Sequence, residues 1–230
     1  MSPSVPENLE KVLRQVSRFE NKCGRPKKSV QLIAVSKTHP PEKIREAYQA
    51  GQRHFGENYL QEALDKIHAL SDLDITWHYV GPIQSNKTRP IAENFHWVHS
   101  VDREKIAARL SDQRPSALPP LRILLQANIS EESTKAGVSL RELPELATSC
   151  RGKKGIVLSG LMAIPAPNKY FEQQSKAFRR LKLARDQLQE QGFEHCRELS
   201  MGMSSDYEAA VAEGATMIRI GTDIFGPRNS

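Results

Sequence analysis

The sequence has few cysteines, and it lacks the cysteine patterns that define disulfide-rich or zinc-binding proteins. Cys23, Cys150 and Cys196 are widely spaced and form no Cys-X-X-Cys pair. Because disulfide frameworks use paired cysteines and structural zinc sites use closely spaced ones, we expect neither. A reducing, cytoplasmic location fits this cysteine usage best.

Long apolar runs and a leader-like N-terminus are also missing. The longest apolar stretches are far shorter than the roughly 20 residues that a transmembrane helix needs. Residues 1–10 include neither the basic region nor the apolar core of a secretory signal. We therefore expect no membrane association.

Positive charge is in excess but is not concentrated. The net charge of +6 favours anionic partners such as phosphorylated metabolites or nucleic acid. The basic residues are scattered among acidic ones, and Lys27-Lys28 and Lys153-Lys154 are only short pairs. Because no basic stripe with interleaved aromatic residues is found, a nucleic-acid-binding or other interaction module is the less favoured alternative.

What is present is a regular alternation of apolar segments. The 230 residues, 38% hydrophobic and 26% charged, suffice for one globular domain over residues 1–230. Leu9 and Val12 belong to a helical pattern over about residues 6–23. We expect residues 1–28 to form an N-terminal helix and connector packed on the rest of the domain.

About eight predicted strands alternate with predicted helices. The strands are residues 30–36, 54–55, 75–80, 97–99, 121–129, 156–163, 198–200 and 216–220. At this length, the alternation predicts an α/β fold, a single (β/α)8 TIM barrel with an additional N-terminal helix. A doubly wound open sheet is the alternative, but no glycine-rich dinucleotide turn follows the first strand. Two helix starts are predicted from a cap at Asp102 and a capping box from Ser205 to Glu208.

Lys37 directly follows the first predicted strand, at the end where a barrel carries its active site. A lysine at the rim of a buried strand can pack its stem while its ammonium reaches water. A desolvated lysine instead has a lowered pKa, and the neutral amine attacks aldehydes. The strand alone leaves both interpretations open, a solvated lysine or a Schiff-base lysine.

The loops after the last two predicted strands have the composition of an anion-binding site. Ser200-Met201-Gly202-Met203-Ser204 ends the seventh strand, and Gly221-Thr222 follows the eighth. Barrels commonly bind phosphate at these two loops, through hydroxyl groups and backbone N–H groups. Ordinary loop glycines and helix caps explain either segment alone, but their joint occurrence favours phosphate.

Arg219 lies inside an otherwise apolar strand, where strand alternation places it on the same face as Met217. A structural salt bridge would explain a guanidinium there. The functional interpretation is a donor aimed at a ligand in the barrel mouth. A lysine amine, a phosphate site and such a donor together are what pyridoxal 5′-phosphate requires.

Several segments of the chain then resemble one known family over essentially the full length. They are residues 34–38, 55–59, 77–87, 128–130, 160–165, 199–204 and 218–222. In this order they are similar to the pyridoxal phosphate homeostasis proteins, which are related in fold to the N-terminal domain of alanine racemase. The resemblance implies a single barrel domain that binds pyridoxal 5′-phosphate and no metal.

The resemblance also implies roles for individual residues. Lys37 would form the Schiff base, and Arg219 would face the pyridine nitrogen. Ser200, Gly221 and Thr222 would hold the phosphate. None of them is expected to be catalytic.

Other residues have competing interpretations. Asn58 would lie near the cofactor ring, or would cap the helix that follows it. Met162 at a strand end is more typical of a core than of a pocket. His78 is expected to be a strand residue rather than a base, and Lys87 and Lys135 to be solvated loop residues.

Arginine at the pyridine nitrogen disfavours ring protonation and weakens the cofactor as an electron sink. The chain ends at Ser230, just after the last strand, so we expect no second domain of the racemase kind.

The implied function is intracellular homeostasis of the cofactor by sequestration and carriage, with indirect effects on amino-acid metabolism. Pyridoxal-phosphate-dependent apoenzymes are candidate partners, and a monomer is expected. The alternative is a pyridoxal-phosphate-dependent amino-acid racemase or lyase of narrow specificity.

Overall fold

The computed structural model describes residues 4–130 and 136–227, and within them eight parallel strands close into a barrel. The strands are β1 (Gln31–Val35), β2 (His54–Glu57), β3 (Thr76–Tyr79), β4 (Trp97–Val101), β5 (Leu121–Asn128), β6 (Val138–Ser139), β7 (Ile156–Met162), β8 (Glu198–Ser200) and β9 (Met217–Ile220). Their order is β4-β3-β2-β1-β9-β8-β7-β5, and pairing of β4 with β5 completes the barrel. The short β6 is added beside β5 and was not predicted. The predicted (β/α)8 barrel is confirmed, and the open-sheet alternative is wrong.

Helices surround the barrel. They are α1 (Val5–Lys22), α2 (Pro41–Gln49), α3 (Leu60–Ala69), α4 (Thr88–Asn94), α5 (Glu104–Asp112), α6 (Leu143–Ser149), α7 (Phe171–Glu190), α8 (Tyr207–Ala212) and α9 (Thr222–Phe225). A 3₁₀ helix, Ser85–Lys87, precedes α4. The structure describes no helix that is long and apolar enough to cross a bilayer.

The N-terminal helix α1 begins with a capping box between Ser4 and Glu7. Its apolar face is buried at residues such as Leu9 and Val12, as the helical spacing predicts. Asn8 Nδ2 donates a hydrogen bond of 3.1 Å to the carbonyl of Ile224 in α9. The helix is thereby attached to the short helix that follows the last strand.

The barrel interior is filled by side chains rather than open. Ile33, Trp97, Leu124, Met162 and Met217 form one buried cluster, separate from the larger core between strands and helices. Strand alternation explains the division, because neighbours such as Leu32 and Ala34 belong to the larger core. Met162 is 1% exposed, which agrees with its interpretation as a core residue.

The two predicted caps are not formed. Arg103, not Asp102, is the N-cap residue of α5, and no side chain caps this helix. The reason is that Asp102 Oδ1 instead accepts a hydrogen bond of 2.6 Å from the Arg103 guanidinium. Its carboxylate is therefore satisfied by a neighbouring side chain rather than by the helix.

The predicted capping box from Ser205 to Glu208 is also wrong. Helix α8 begins at Tyr207, after Asp206, and again no side chain caps it. Asp206 Oδ1 accepts a hydrogen bond of 2.7 Å from the backbone N–H of Met203. The carboxylate thus closes the loop after β8, and the helix starts later than the sequence pattern indicates.

Candidate functional site

A pocket of about 310 Å³ opens at the C-terminal ends of the strands. Its lining residues are Val35, Lys37, Asn58, Val80, Ile164, Met203, Ser204, Ser205, Arg219, Gly221 and Thr222. Five of the predicted site residues are therefore brought together at one barrel mouth: Lys37, Asn58, Arg219, Gly221 and Thr222. Ser200, the sixth, is not part of the lining.

Lys37 lies two residues after the end of β1 and is half-buried. The next residue, Thr38, has a φ of 65°, which is uncommon for a residue other than glycine. Its backbone N–H donates a hydrogen bond of 2.6 Å to Glu62 Oε1 in α3. A tight turn, held from outside the barrel, therefore places Lys37 at the pocket.

A buried ion-pair network lies behind this turn. Lys66 Nζ is 2.8 Å from Glu57 Oε1 and 2.5 Å from Glu62 Oε1. It also donates to the carbonyl of Ser36, whose hydroxyl donates to Glu57 Oε1 at 2.7 Å. Burial raises the pKa of Glu57, while Lys66 and Ser36 act to lower it. The network fixes α3 to Ser36, which precedes Lys37, and to Glu57 at the end of β2.

Sequence reasoning missed this network. A lysine in an amphipathic helix normally lies on the solvated face, whereas Lys66 is 3% exposed. The available signal was the spacing of Glu62 and Lys66, which places both on one side of α3. The contact with Glu57, on a neighbouring strand end, depends on the tertiary fold.

Arg219 points into the barrel and lines the pocket while being only 5% exposed. Its Nη1 donates a hydrogen bond of 2.6 Å to Ser200 Oγ, and its Nη2 donates one of 3.1 Å to the carbonyl of Ala163. Burial lowers the pKa of Arg219 to about 10, and the negative charge of Asp206 opposes this. In the described part of the chain no carboxylate lies within ion-pair distance of Arg219, so the salt-bridge interpretation is not supported.

Ser200 lies beneath the pocket, where it is fully buried. Its hydroxyl contacts Arg219 Nη1 and, at 2.8 Å, His99 Nδ1. Ser200 is therefore not among the residues that line the pocket, although the sequence predicts it there as a phosphate ligand. The serines that do line the pocket are Ser204 and Ser205, both exposed.

The loop after β9 approaches the first strand closely. A Cβ at Gly221 would lie 3.0 Å from the carbonyl oxygen of Val35, so a larger residue would crowd this approach. Helix α9 starts at Thr222, and the first N–H groups of a helix have no acceptor within it. These groups and the hydroxyl of Thr222 suit an anionic group at this side of the pocket.

Asn58 follows β2 and lines the pocket. The N-cap residue of α3 is Tyr59, so Asn58 does not cap this helix. Its Oδ1 is buried and has no hydrogen-bond partner among the described residues. Gly81 packs against its backbone, because a Cβ there would lie 2.1 Å from the Asn58 carbonyl oxygen.

Two comparisons identify the family. The family model described as "Alanine racemase, N-terminal domain" matches residues 8–229. A pyridoxal phosphate homeostasis protein of Pseudomonas aeruginosa is 52% identical over 226 residues, which cover 98% of this chain and 96% of that protein. The chain belongs to the family of the pyridoxal phosphate homeostasis proteins.

Two solved structures share the fold of this chain. PipY of Synechococcus elongatus PCC7942, determined with PLP bound, superimposes with a TM-score of 0.85 at 40% identity, covering 97% of this chain and 100% of PipY. Alanine racemase of Corynebacterium glutamicum matches with a TM-score of 0.72 at 14% identity, covering 95% of this chain and 62% of the racemase. The second likeness concerns the fold alone.

Two other residues singled out in the sequence, His78 and Lys87, are not part of the pocket lining. His78 is fully buried in the barrel. Lys87 is exposed in the 3₁₀ helix. Lys135 lies outside the described residues. Within residues 4–130 and 136–227, no cluster of histidine, cysteine and carboxylate groups is arranged to hold a metal ion.

Proposed function

We propose that this protein binds pyridoxal 5′-phosphate (PLP) and serves in intracellular PLP homeostasis, as a reservoir and carrier rather than an enzyme. The observation that carries the proposal is the pairing, in one pocket, of a half-buried Lys37 with a buried Arg219 that the described chain leaves without a carboxylate. The homeostasis name of the Pseudomonas relative and the PLP bound to PipY support it.

Lys37 is the proposed anchor for the aldehyde. Its amine would condense with the aldehyde to a Schiff base and release water. The residue stands on a turn that Glu62 holds through the Thr38 backbone. Such a turn keeps the amine at a fixed place on the pocket wall, which favours a stored form of the cofactor.

The phosphate is proposed to bind at the loops after β8 and β9. Gly221 and Thr222 offer backbone N–H groups and a hydroxyl, and Ser204 and Ser205 offer further hydroxyls across the pocket. Ser200 would contribute indirectly, by holding Arg219 from below.

Arg219 is proposed to meet the pyridine nitrogen, with Asn58 beside the ring. An arginine donates hydrogen bonds but supplies no readily transferable proton, so it keeps the ring nitrogen unprotonated. An unprotonated ring is a weak electron sink, which disfavours racemisation and transamination. The described lining includes no histidine, tyrosine or carboxylate to act as a second acid–base group.

We further propose a single domain over residues 1–230, a monomer in the cytoplasm, and PLP-dependent apoenzymes as recipients. Effects on amino-acid metabolism would then be indirect. The three free cysteines, of which Cys150 and Cys196 are buried, are consistent with a reducing compartment.

The absorbance spectrum of the purified protein after PLP addition tests the proposal. The wild type should be yellow from the Schiff base, and Lys37→Ala should not be. Lys87→Ala should match the wild type, because Lys87 does not line the pocket. A Lys37→Ala spectrum equal to the wild type would contradict the proposal. In the same preparation, amino-acid turnover that depends on Lys37 would favour a racemase or lyase instead.

A further inference from the structure

A continuous line of hydrogen-bonded side chains crosses the barrel interior beneath the pocket. His54 Nδ1 lies 2.9 Å from His78 Nε2, and His78 Nδ1 lies 2.9 Å from His99 Nε2. His99 Nδ1 lies 2.8 Å from Ser200 Oγ, which accepts from Arg219 Nη1 at 2.6 Å. The five residues come from five different strands, and the line ends at the arginine of the pocket.

The direction of every hydrogen bond in this histidine chain follows from Arg219. Arginine only donates, so Ser200 Oγ accepts from it. The buried hydroxyl must then place its own proton on an acceptor, and His99 Nδ1 is its other partner among the described residues. His99 is therefore protonated at Nε2.

Each further hydrogen bond in the histidine chain also needs one donor and one acceptor, so its direction follows from the bond before it. His99 Nε2–H donates to His78 Nδ1, so His78 also carries its proton on Nε2. His78 Nε2–H donates in turn to His54 Nδ1. The opposite direction would leave the Ser200 proton without an acceptor in a site that water does not reach, at a desolvation cost.

The surroundings of the histidine chain favour uncharged imidazoles. Burial holds the pKa of His78 and His99 well below the usual range, and the charge of Arg219 lowers that of His99 further. The ionisable groups acting on the chain are Arg219 at its upper end, His96 beside His54 and His78, and Asp206 near Arg219. A proton on any of the three imidazoles would add a cation close to Arg219.

We propose that His54, His78 and His99 are positioning residues for Arg219, and that all three are neutral Nε2–H tautomers. Their common direction fixes the Ser200 hydroxyl, whose oxygen then holds Nη1 in one orientation. The carbonyl of Ala163 holds Nη2. Among the described residues these two bonds hold the guanidinium, and Arg219 also lines the pocket.

The tautomer assignment does not depend on a cofactor, and ring-nitrogen NMR on the ligand-free protein tests it. We expect Nε2–H signals for His54, His78 and His99, and no protonation of His78 or His99 between pH 6 and 8. A proton on Nδ1 of His99, or a charged His99 in this range, would overturn the proposal.

The effect on the pocket rests on the proposed function, and spectra of the PLP-loaded protein test it. We expect His99→Phe to shift the absorbance maximum, to change its pH profile and to weaken PLP binding about tenfold, because Ser200 loses its acceptor. His99→Gln, which returns an acceptor oxygen, should restore part of each property. His96→Phe is the matched control. His96 is not a member of the histidine chain, and its Nδ1 accepts a hydrogen bond from the backbone N–H of Trp77.

The tautomer assignment and the effect on the PLP pocket can be refuted independently of each other. If the wild type does not bind PLP, the proposed function fails, and the NMR result still decides the tautomers. If the wild type binds PLP and His99→Phe has the same spectrum and pH profile as His96→Phe, the positioning role is overturned. A wild-type-like NMR pattern in His99→Gln at His78 and His54 would support it.

Discussion

Glu62 Oε1 accepts a hydrogen bond of 2.6 Å from the backbone N–H of Thr38, the residue after Lys37. The bond joins a carboxylate on α3 to a turn that has a positive φ at a β-branched residue. Such a backbone conformation is costly and persists only when its surroundings stabilise it. The position of Lys37 therefore depends on a helix outside the barrel.

The first prediction concerns this bond. Glu62→Ala should weaken PLP binding by roughly tenfold, because a hydrogen bond to a charged group contributes about 1.5–3 kcal/mol. Glu62→Gln retains an acceptor for the Thr38 N–H and should weaken binding less. Equilibrium titration of the two variants with PLP measures the difference, and equal affinities would contradict the role given to Glu62.

The second prediction concerns the buried ion pair. Lys66→Met leaves the carboxylate of Glu57 buried without its cation, and should lower the free energy of unfolding by about 3–5 kcal/mol. Adding Glu57→Gln should recover much of the loss. Lys43→Met, which breaks the exposed pair with Glu46, should cost about 1 kcal/mol or less. Urea unfolding measures all three; a loss for Lys66→Met no larger than for Lys43→Met would refute this account.

The barrel and the site at its mouth followed from local patterns in the sequence. Lys37, Asn58, Arg219 and Gly221 each stand at or beside a strand end, and closure of the barrel brings such ends together. Predictions of which group a particular side chain contacts were harder to make from the sequence. Ser200 was expected at the phosphate, but strand alternation turns it inward beneath the guanidinium of a neighbouring strand.

The histidine chain shows the limit of sequence reasoning most clearly. His54, His78 and His99 are far apart in the sequence, and their alignment depends on the register of β2, β3 and β4. The register pairs His78 with Gly56 and with Trp97, so the three rings sit at successive heights in the barrel. A sequence pattern indicates which face a residue takes, but not this stagger between strands.

The third prediction concerns Gly81. Gly81→Ala should displace Asn58 and weaken PLP binding, because its Cβ would lie 2.1 Å from the Asn58 carbonyl oxygen. Gly152→Ala is the control: it has a φ of 74° but open space around its Cβ, so it should cost about 1 kcal/mol of stability without affecting the pocket. Titration with PLP distinguishes them, and unchanged affinity in Gly81→Ala would exclude the proposed contact.

The fourth prediction concerns the dependence of stability on pH. Burial lowers the pKa of His54, His78 and His99 in the folded protein. The unfolded chain therefore binds more protons than the folded protein below about pH 6.5. The free energy of unfolding should therefore be unaffected by these histidines above that pH and should fall as the pH decreases below it. Each such histidine should contribute up to about 1.4 kcal/mol per pH unit.

Urea unfolding of the wild type between pH 5.5 and 7 measures this slope. His78→Gln should reduce this slope by about one histidine's share. The same slope in His78→Gln and the wild type would show that His78 takes up its proton equally in the folded and unfolded states.

Borohydride reduction of the PLP-loaded protein, followed by peptide mass mapping, tests the central claim most directly. The account predicts one pyridoxyl group, attached to Lys37, and none on the peptides that carry Lys66 or Lys87. No adduct, or an adduct on a lysine other than Lys37, would contradict it.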